Sequence, residues 1–275
     1  MPVYAVAHLC RCEACGFVFC QRIPAIEELK ACYSTDNYER TCYFSPITEQ
    51  RYNELLDSFA KYRKTNNLLD IGAGSGFLLE VAKRHGWNVR GTEFAEDAIE
   101  MCRKKGIHVD KGELAELGFE DNSFDVITGI EVIEHLNNPT EITKEIFRIL
   151  RPGGVVYLTT PNFNSLLRKR LKSEYDVISY PLHLCYYTKG TLKKLFTDQG
   201  LQSLKISTTG ISLTRFRTST GKSNQQYVSE TSDDEMLRYR IEKRWYMRWG
   251  KHSLNALLNL FKVGDSIKAG FIKPE

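Results

Sequence analysis

The chain alternates between stretches whose apolar residues recur at helical spacing and short runs that are apolar throughout. A helical stripe runs from about Thr48 to Lys64, with Leu55, Leu56 and Phe59 on one face, and Asn66 and Asn67 end it. Leu68 to Ile71 is a short apolar run, with glycines after it. Phe77 to Arg84 has helical spacing and closes near Gly86. Val89 to Thr92 reads as the next strand, Glu96 to Lys105 as a helix stopped by Gly106, and Ile107 to Val109 as a third strand. Phe124 to Ile130 is apolar enough to be buried on both faces. Thr140 to Leu150 reads as a helix closed by Pro152-Gly153-Gly154, and Val155 to Thr160 as a fifth strand stopped by Pro161.

Strands alternating with short helices predict βαβ units in a doubly wound, mostly parallel α/β sheet with right-handed crossovers. The ligand of such a sheet sits at the carboxyl ends of its strands. The flanks are less regular. Residues 1–23 are cysteine-rich and turn-like, and Ile26, Leu29 and Ala31 lie on a short amphipathic stretch after Pro24. Residues 162–186 read as a loop or helical cap. Thr191 to Gln199 reads as a helix and Leu204 to Thr208 as a strand. Residues 217–234 are a polar loop, 235–261 are helical and basic-aromatic, and Asp265 to Ile272 alternates as a last strand. The expected organisation is an appendage over 1–44, a core over 45–210, and a C-terminal part over 211–275 that holds a helical insertion and the final strand.

Composition changes this picture little. The chain has 275 residues, 42% hydrophobic and 26% charged, and a formal charge of +4, which does not by itself indicate nucleic acid or a membrane surface. No apolar run reaches the roughly eighteen residues of a membrane span. The N-terminus lacks the basic leader and apolar run of a secretory signal, so a cytoplasmic protein is expected.

The chemistry concentrates in Asp70-Ile71-Gly72-Ala73-Gly74-Ser75-Gly76, between a strand and a helix. Glycines let backbone turn tightly and approach a ligand. A dinucleotide fingerprint would put its third glycine at position 77, which is Phe77, and no Gly-Lys-Ser or Gly-Lys-Thr of a phosphate loop follows. Glu93, about twenty residues on, closes the second strand, where a carboxylate accepts hydrogen bonds from ribose hydroxyls. Glu113 follows the third strand, suited to an adenine amine, with Leu114 to pack on the ring.

These segments resemble the class I S-adenosylmethionine-dependent methyltransferases. LLDIGAGSG is similar to that family's first motif, VRGTEF to its second, and GELAELGFEDNSFDVI to its third and the lead into its fourth strand. IEVIEHLNNP, RILRPGGVVYLTTPN and the closing GDSIKAGFIKP resemble the segments that follow. The resemblance implies a seven-stranded Rossmann-like sheet whose last strand inserts antiparallel beside the fifth. It implies that Asp70, Gly72, Gly74 and Gly76 line the methionine and ribose of S-adenosyl-L-methionine. Glu93 would take the ribose hydroxyls, with Phe94 beside the adenine. Glu113 and Leu114 would flank the adenine, and Ile130 and Glu131 would border the sulfonium.

The chain is similar in particular to small-molecule methyltransferases with an N-terminal zinc ribbon, several of which act on sugars or polysaccharide precursors. Cys12-Glu13-Ala14-Cys15-Gly16 resembles only the second cysteine pair of that ribbon. Cys10 and Cys20 could complete a zinc set, but free thiols in a vestigial loop are the preferred reading. His183, in Pro181-Leu182-His183 before Tyr187-Thr188, is a candidate general base, and so is His135. In a few methyltransferases Glu-x-x-Glu-His, here Glu131 to His135, binds a divalent cation, and His183 could be a fourth ligand. A metal-free site is the preferred reading. Tyr33, Tyr38 and Tyr43 either cap the cofactor or pack the N-terminal helices. Arg168-Lys169-Arg170 with Lys172 either attracts an anionic acceptor or is a solvated helix face. The basic-aromatic helix over 235–261 either packs on the sheet, pairs two copies as a homodimer, or grips nucleic acid or a membrane interface. The expected partner is a small-molecule acceptor methylated at oxygen or carbon. The alternatives are an RNA-modifying enzyme and a non-catalytic scaffold that binds S-adenosylmethionine.

Overall fold

The computed structural model describes residues 4, 7–24, 43–221 and 233–275. The stretch from Ile26 to Ala31, Tyr33 and Tyr38, and the polar residues 222–232 lie outside them. Two short strands open the fold, β1 (Leu9–Arg11) and β2 (Val18–Cys20), paired antiparallel. Helix α1 (Pro46–Phe59) begins two residues before the predicted Thr48. The Ser45 hydroxyl accepts the N–H groups of Ile47 and Thr48, and Pro46 is preset for a first helical turn.

The main sheet then builds from β3 (Asn67–Ile71), α2 (Phe77–Arg84), β4 (Asn88–Glu93), α3 (Glu96–Lys104), β5 (Val109–Lys111), β6 (Phe124–Ile130), α4 (Pro139–Ile149) and β7 (Leu150–Pro161). After α5 (Leu166–Leu171), β8 (Cys185–Tyr186) and α6 (Lys189–Thr197) come β9 (Gln202–Thr209), α7 (Leu213–Ser219), α8 (Asp233–Lys243), α9 (Trp245–Leu260) and β10 (Ser266–Ile272). The order is β5-β4-β3-β6-β7-β10-β9. β3 to β7 pair in parallel, and β10 inserts antiparallel between β7 and β9. This is a Rossmann-like α/β sheet with an antiparallel strand inserted beside the fifth parallel one, as the sequence resemblance implies.

Both faces are covered. Leu68, Val126 and Val155 pack under α1 and α2, against Leu56, Phe59 and Leu79. Leu69, Ile127, Val156 and Phe271 pack against Ile146 of α4 and Phe196 of α6. Asp125 locks the entry to β3: its buried carboxylate accepts the N–H groups of Lys64, Thr65 and Asn66 and pairs with Arg151.

Three expectations shift. β5 begins at Val109 and not at Ile107. Ile107 instead closes the end of α3, its N–H bonded to the Cys102 carbonyl at 3.0 Å and its side chain buried. That helix stop needs an apolar residue, which imitates a strand in the sequence. Pro152-Gly153-Gly154 is no loop but part of β7, at a register shift between Phe124 and Val126. Residues 1–23 are not merely turn-like: β1 and β2 join the distant β8 in a three-stranded sheet, with Val18 opposite Tyr186 and Phe19 opposite Cys185.

Helix α9 runs along the outer strand β9. The Asn255 and Asn259 side-chain carbonyls accept the N–H groups of Gly210 and Thr208, which occupies a strand edge otherwise open to pairing. Its opposite side exposes Trp245 (75%), Trp249 (71%), Leu257 and Leu260. Arg168 serves the fold: its guanidinium bonds the Phe163 carbonyl at 2.6 Å and lies over the Phe163 ring. No helix among the described residues is long and apolar enough to cross a membrane.

Candidate active site

β3 ends at Ile71, and the chain turns through Gly72, Gly74 and Gly76, at φ of 66°, 51° and 74°. This left-handed region disfavours side chains. A Cβ on Gly72 would stand 2.5 Å from Val132 Cγ2, and one on Gly76 would stand 2.7 Å from Cys102 Sγ. Gly74 differs, because a Cβ there would meet nothing within 4 Å. The turn is therefore packed from below and open at its tip.

Glu93, at the end of β4, reaches this tip. One carboxylate oxygen accepts the Gly74 N–H at 2.9 Å; the other accepts those of Phe94 at 2.7 Å and Ala95 at 3.0 Å. Phe94 is exposed beside it. Asp70 lies beneath, at the end of β3 and opposite Thr128 of β6, whose hydroxyl donates to it at 2.6 Å. Burial pushes the Asp70 carboxyl up to about 7; Thr128 opposes the rise and Glu93 adds to it. Glu113 is exposed after β5, while Leu114 is buried with Leu69 and Ile71. Ile130 ends β6 partly buried. Glu131 follows with φ of 55°, its N–H bonded to the Thr159 carbonyl and its carboxylate 3.7 Å from the Arg215 guanidinium of α7.

A second cluster lies beyond β6. Ligand atoms of Glu134, His135 and His183 all fall within 4.8 Å of one another. Two distant segments are stitched together to place them. The Leu184 N–H donates to the Glu134 carbonyl at 2.8 Å, His135 Nδ1 bonds the Leu182 carbonyl at 2.9 Å, and the Cys185 thiol reaches the Leu136 carbonyl at 3.1 Å. β2 braces the same segment, the Cys20 N–H donating to the Leu184 carbonyl at 2.8 Å. Burial raises the Glu134 carboxyl to about 8, with Glu131 adding to the rise, although the Thr160 hydroxyl donates to it at 2.8 Å. Burial, with His135 adding, pulls His183 down to about 4, and its Nδ1 bonds the Val177 carbonyl at 2.7 Å. That bond leaves the lone pair of the neutral ring on Nε2.

Two sets thus form on one sheet. Asp70, the glycines and Glu93 meet at the end of β3. Glu134, His135 and His183 meet beyond β6, and Glu131 lies between. Of the cysteines, Cys12 and Cys15 come together, but no third metal ligand joins them among the described residues. Cys20 sits opposite Leu9, is buried, and its thiol bonds the Ala7 carbonyl; Cys10 sits opposite Phe19, on the other face of the hairpin. Thr128, Thr160 and Arg215 belong to these sets but carry no motif. Thr128 is found by strand register alone, and Arg215 lies in a segment without pattern.

The family model for the methyltransferase domain matches residues 46–206, more than half of the chain. The chain belongs to the methyltransferase-domain family. A probable S-adenosylmethionine-dependent methyltransferase of Mycolicibacterium smegmatis is 38% identical over 119 residues, 41% of this chain and 45% of that protein. A ubiquinone biosynthesis O-methyltransferase of Pseudomonas aeruginosa is 36% identical over 104 residues, 35% of this chain and 45% of that protein. The chain thus spans about half the length of these curated relatives. A SAM-dependent methyltransferase of Archaeoglobus fulgidus shares the fold, with a TM-score of 0.59 at 21% identity, covering 88% of this chain and 100% of that one. The methyltransferase family accounts for both the sheet order and the glycine turn, and its methyl donor is S-adenosyl-L-methionine.

Proposed function

We propose that this chain transfers the methyl group of S-adenosylmethionine to a small-molecule acceptor. The observation that carries this reading is the Glu93 carboxylate drawn onto the Gly74 N–H, which joins the acid of the second strand to the open tip of the glycine turn. On this reading the bare backbone at Gly72, Gly74 and Gly76 admits the methionine and ribose, and Asp70 supports the turn from beneath. Glu93 holds the ribose, Phe94, Glu113 and Leu114 border the adenine, and Ile130 and Glu131 border the sulfonium. Transfer from a sulfonium is an in-line displacement, so the protein's main work is to position the acceptor.

His183 and His135 stand on the acceptor side as the candidate proton acceptors. The relatives named for ubiquinone O-methylation favour transfer to an oxygen, and a sugar or polysaccharide precursor is the acceptor class that the sequence resemblance favours. We place the reaction in the cytoplasm, with two copies paired through the exposed side of α9. The test is incubation with methyl-labelled donor and separate pools of sugar nucleotides, catechols and RNA. Label in a small molecule supports the reading, and label in RNA alone contradicts it.

A second reading is favoured by the convergence of Glu134, His135 and His183. These three residues would hold a divalent cation. It would supply a Lewis acid that acidifies an acceptor hydroxyl. An imidazole as weakly basic as His183 is a poor proton acceptor near neutrality and a good neutral ligand. Turnover that is lost in chelator and restored by added cation supports this reading; unchanged turnover removes it.

A further inference from the structure

Lys268 stands in the middle of the sheet. β10 lies between β7 and β9, and Lys268 is opposite Thr159 on one side and Ser207 on the other. Thr159 is opposite Ile130 of β6. Ile130, Thr159 and Lys268 therefore form one lateral row, and strand spacing puts Lys268 about 10 Å from Ile130. Its strand neighbours Ile267 and Ala269 are fully buried on the opposite face, so Lys268 projects from the face that carries α1.

Three further cations converge there: Arg51 of α1, Arg238 of α8 and Lys251 of α9. With burial, all three lower the Lys268 ammonium, and Glu131 opposes them. Burial and then Arg238 likewise lower the Arg51 guanidinium, while Glu242, Glu235 and Glu54 oppose them. The neighbouring acids have other partners. Glu235 takes the Ser45 hydroxyl and lies 3.8 Å from Arg238. Glu242 holds Lys251 and faces Arg248, Glu54 takes the Gln50 amide, and Glu131 faces Arg215. The Arg51 and Lys268 side chains have no ion pair or hydrogen bond to a described residue, and both stay partly open to solvent. Lys268 therefore stands among three cations and one carboxylate, Glu131, beside the row that ends at Ile130, an arrangement that a bound anion would relieve.

We propose that Lys268 and Arg51, with Arg238 beside them, bind an oxyanion carried by the methyl acceptor, a carboxylate or a phosphate. The proposal rests on the methyltransferase reading, and it makes the acceptor a compact acid. Its charged group and its methylated atom lie within about 10 Å of each other, two strand spacings.

The test is calorimetric, on the full chain saturated with S-adenosylhomocysteine and titrated with benzoate and, separately, inorganic phosphate. At least one ion binds the unaltered protein and binds about tenfold or more weakly to Lys268→Met and Arg51→Met. Lys268→Arg, which keeps the charge, restores binding. A response to benzoate alone marks a carboxylic acid acceptor, and a response to phosphate alone a phosphorylated one. If neither ion binds, or both bind the Met variants as well as the unaltered protein, the cations are merely solvated and the proposal fails. The preceding S-adenosylhomocysteine titration separates the two readings. Donor-product binding equal in all four proteins leaves the methyltransferase reading intact whatever the anions do. Its absence from the unaltered protein defeats that reading, and this proposal with it.

Discussion

The two sides of β6 are built in opposite ways. Toward β4, the candidate site is drawn from one short stretch, Asp70 to Glu93, and backbone geometry does most of the work: three left-handed glycines and a carboxylate held by three N–H groups. Toward β10, the side chains come from α1, the segment after β6, the loop before β8, α7 and β10, and tertiary packing alone brings them together. A site made from backbone is rigid and intolerant of added atoms. A site made from converging side chains tolerates changes of shape but depends on charge.

The largest effect should come from adding one methyl group to the first kind. Gly72→Ala forces a Cβ onto Val132 in left-handed backbone, so it should cost about 2–4 kcal/mol in denaturant unfolding and abolish binding of the donor product. Gly74→Ala, equally left-handed but with open space, should cost only about 1 kcal/mol. Equal losses at the two glycines would break the claim that the turn is packed below and open at its tip.

On the other side, Glu134→Gln and His183→Ala should lower turnover about a hundredfold or more while leaving donor-product affinity near that of the unaltered protein. Steady-state rates with parallel calorimetry check this. A loss of donor binding as large as the loss of turnover would merge the two regions into one.

The same two residues give opposite pH signatures. Glu134 is raised from 4.5 to about 8, so the folded chain retains a proton that the unfolded chain has released, and stability falls as pH rises through that window. His183 is lowered from 6.5 to about 4, so the unfolded chain gains a proton first, and stability falls as pH drops through that window. Unfolding measured from pH 4 to 8 should show Glu134→Gln flattening the alkaline decline and His183→Ala the acid one. The smallest effect is expected at α9, where Trp245→Ser with Trp249→Ser should leave turnover unchanged and shift sedimentation toward the monomer.

The same contrast explains what the sequence made legible. The glycine turn, Glu93 and most strand bounds could be read because each is written in a few consecutive residues. Thr128 could not, since its link to Asp70 exists only once β3 and β6 are in register. The β1–β2 hairpin read as turns because its third strand, β8, lies at the far end of the core. Lys268 looked like the polar position of an alternating strand; only the insertion of β10 between β7 and β9 places it among other cations. His183 could be grouped with Glu131, Glu134 and His135 as a possible ligand set by motif alone, but only the fold brings Glu134, His135 and His183 within reach of one another and turns Glu131 toward Arg215.

The most direct test is a calorimetric titration of S-adenosylhomocysteine into the unaltered protein and into Glu93→Ala. The account predicts one site per chain, weakened about tenfold or more when the carboxylate is removed. No heat of binding from well-folded protein, or equal affinity in the two, would contradict it.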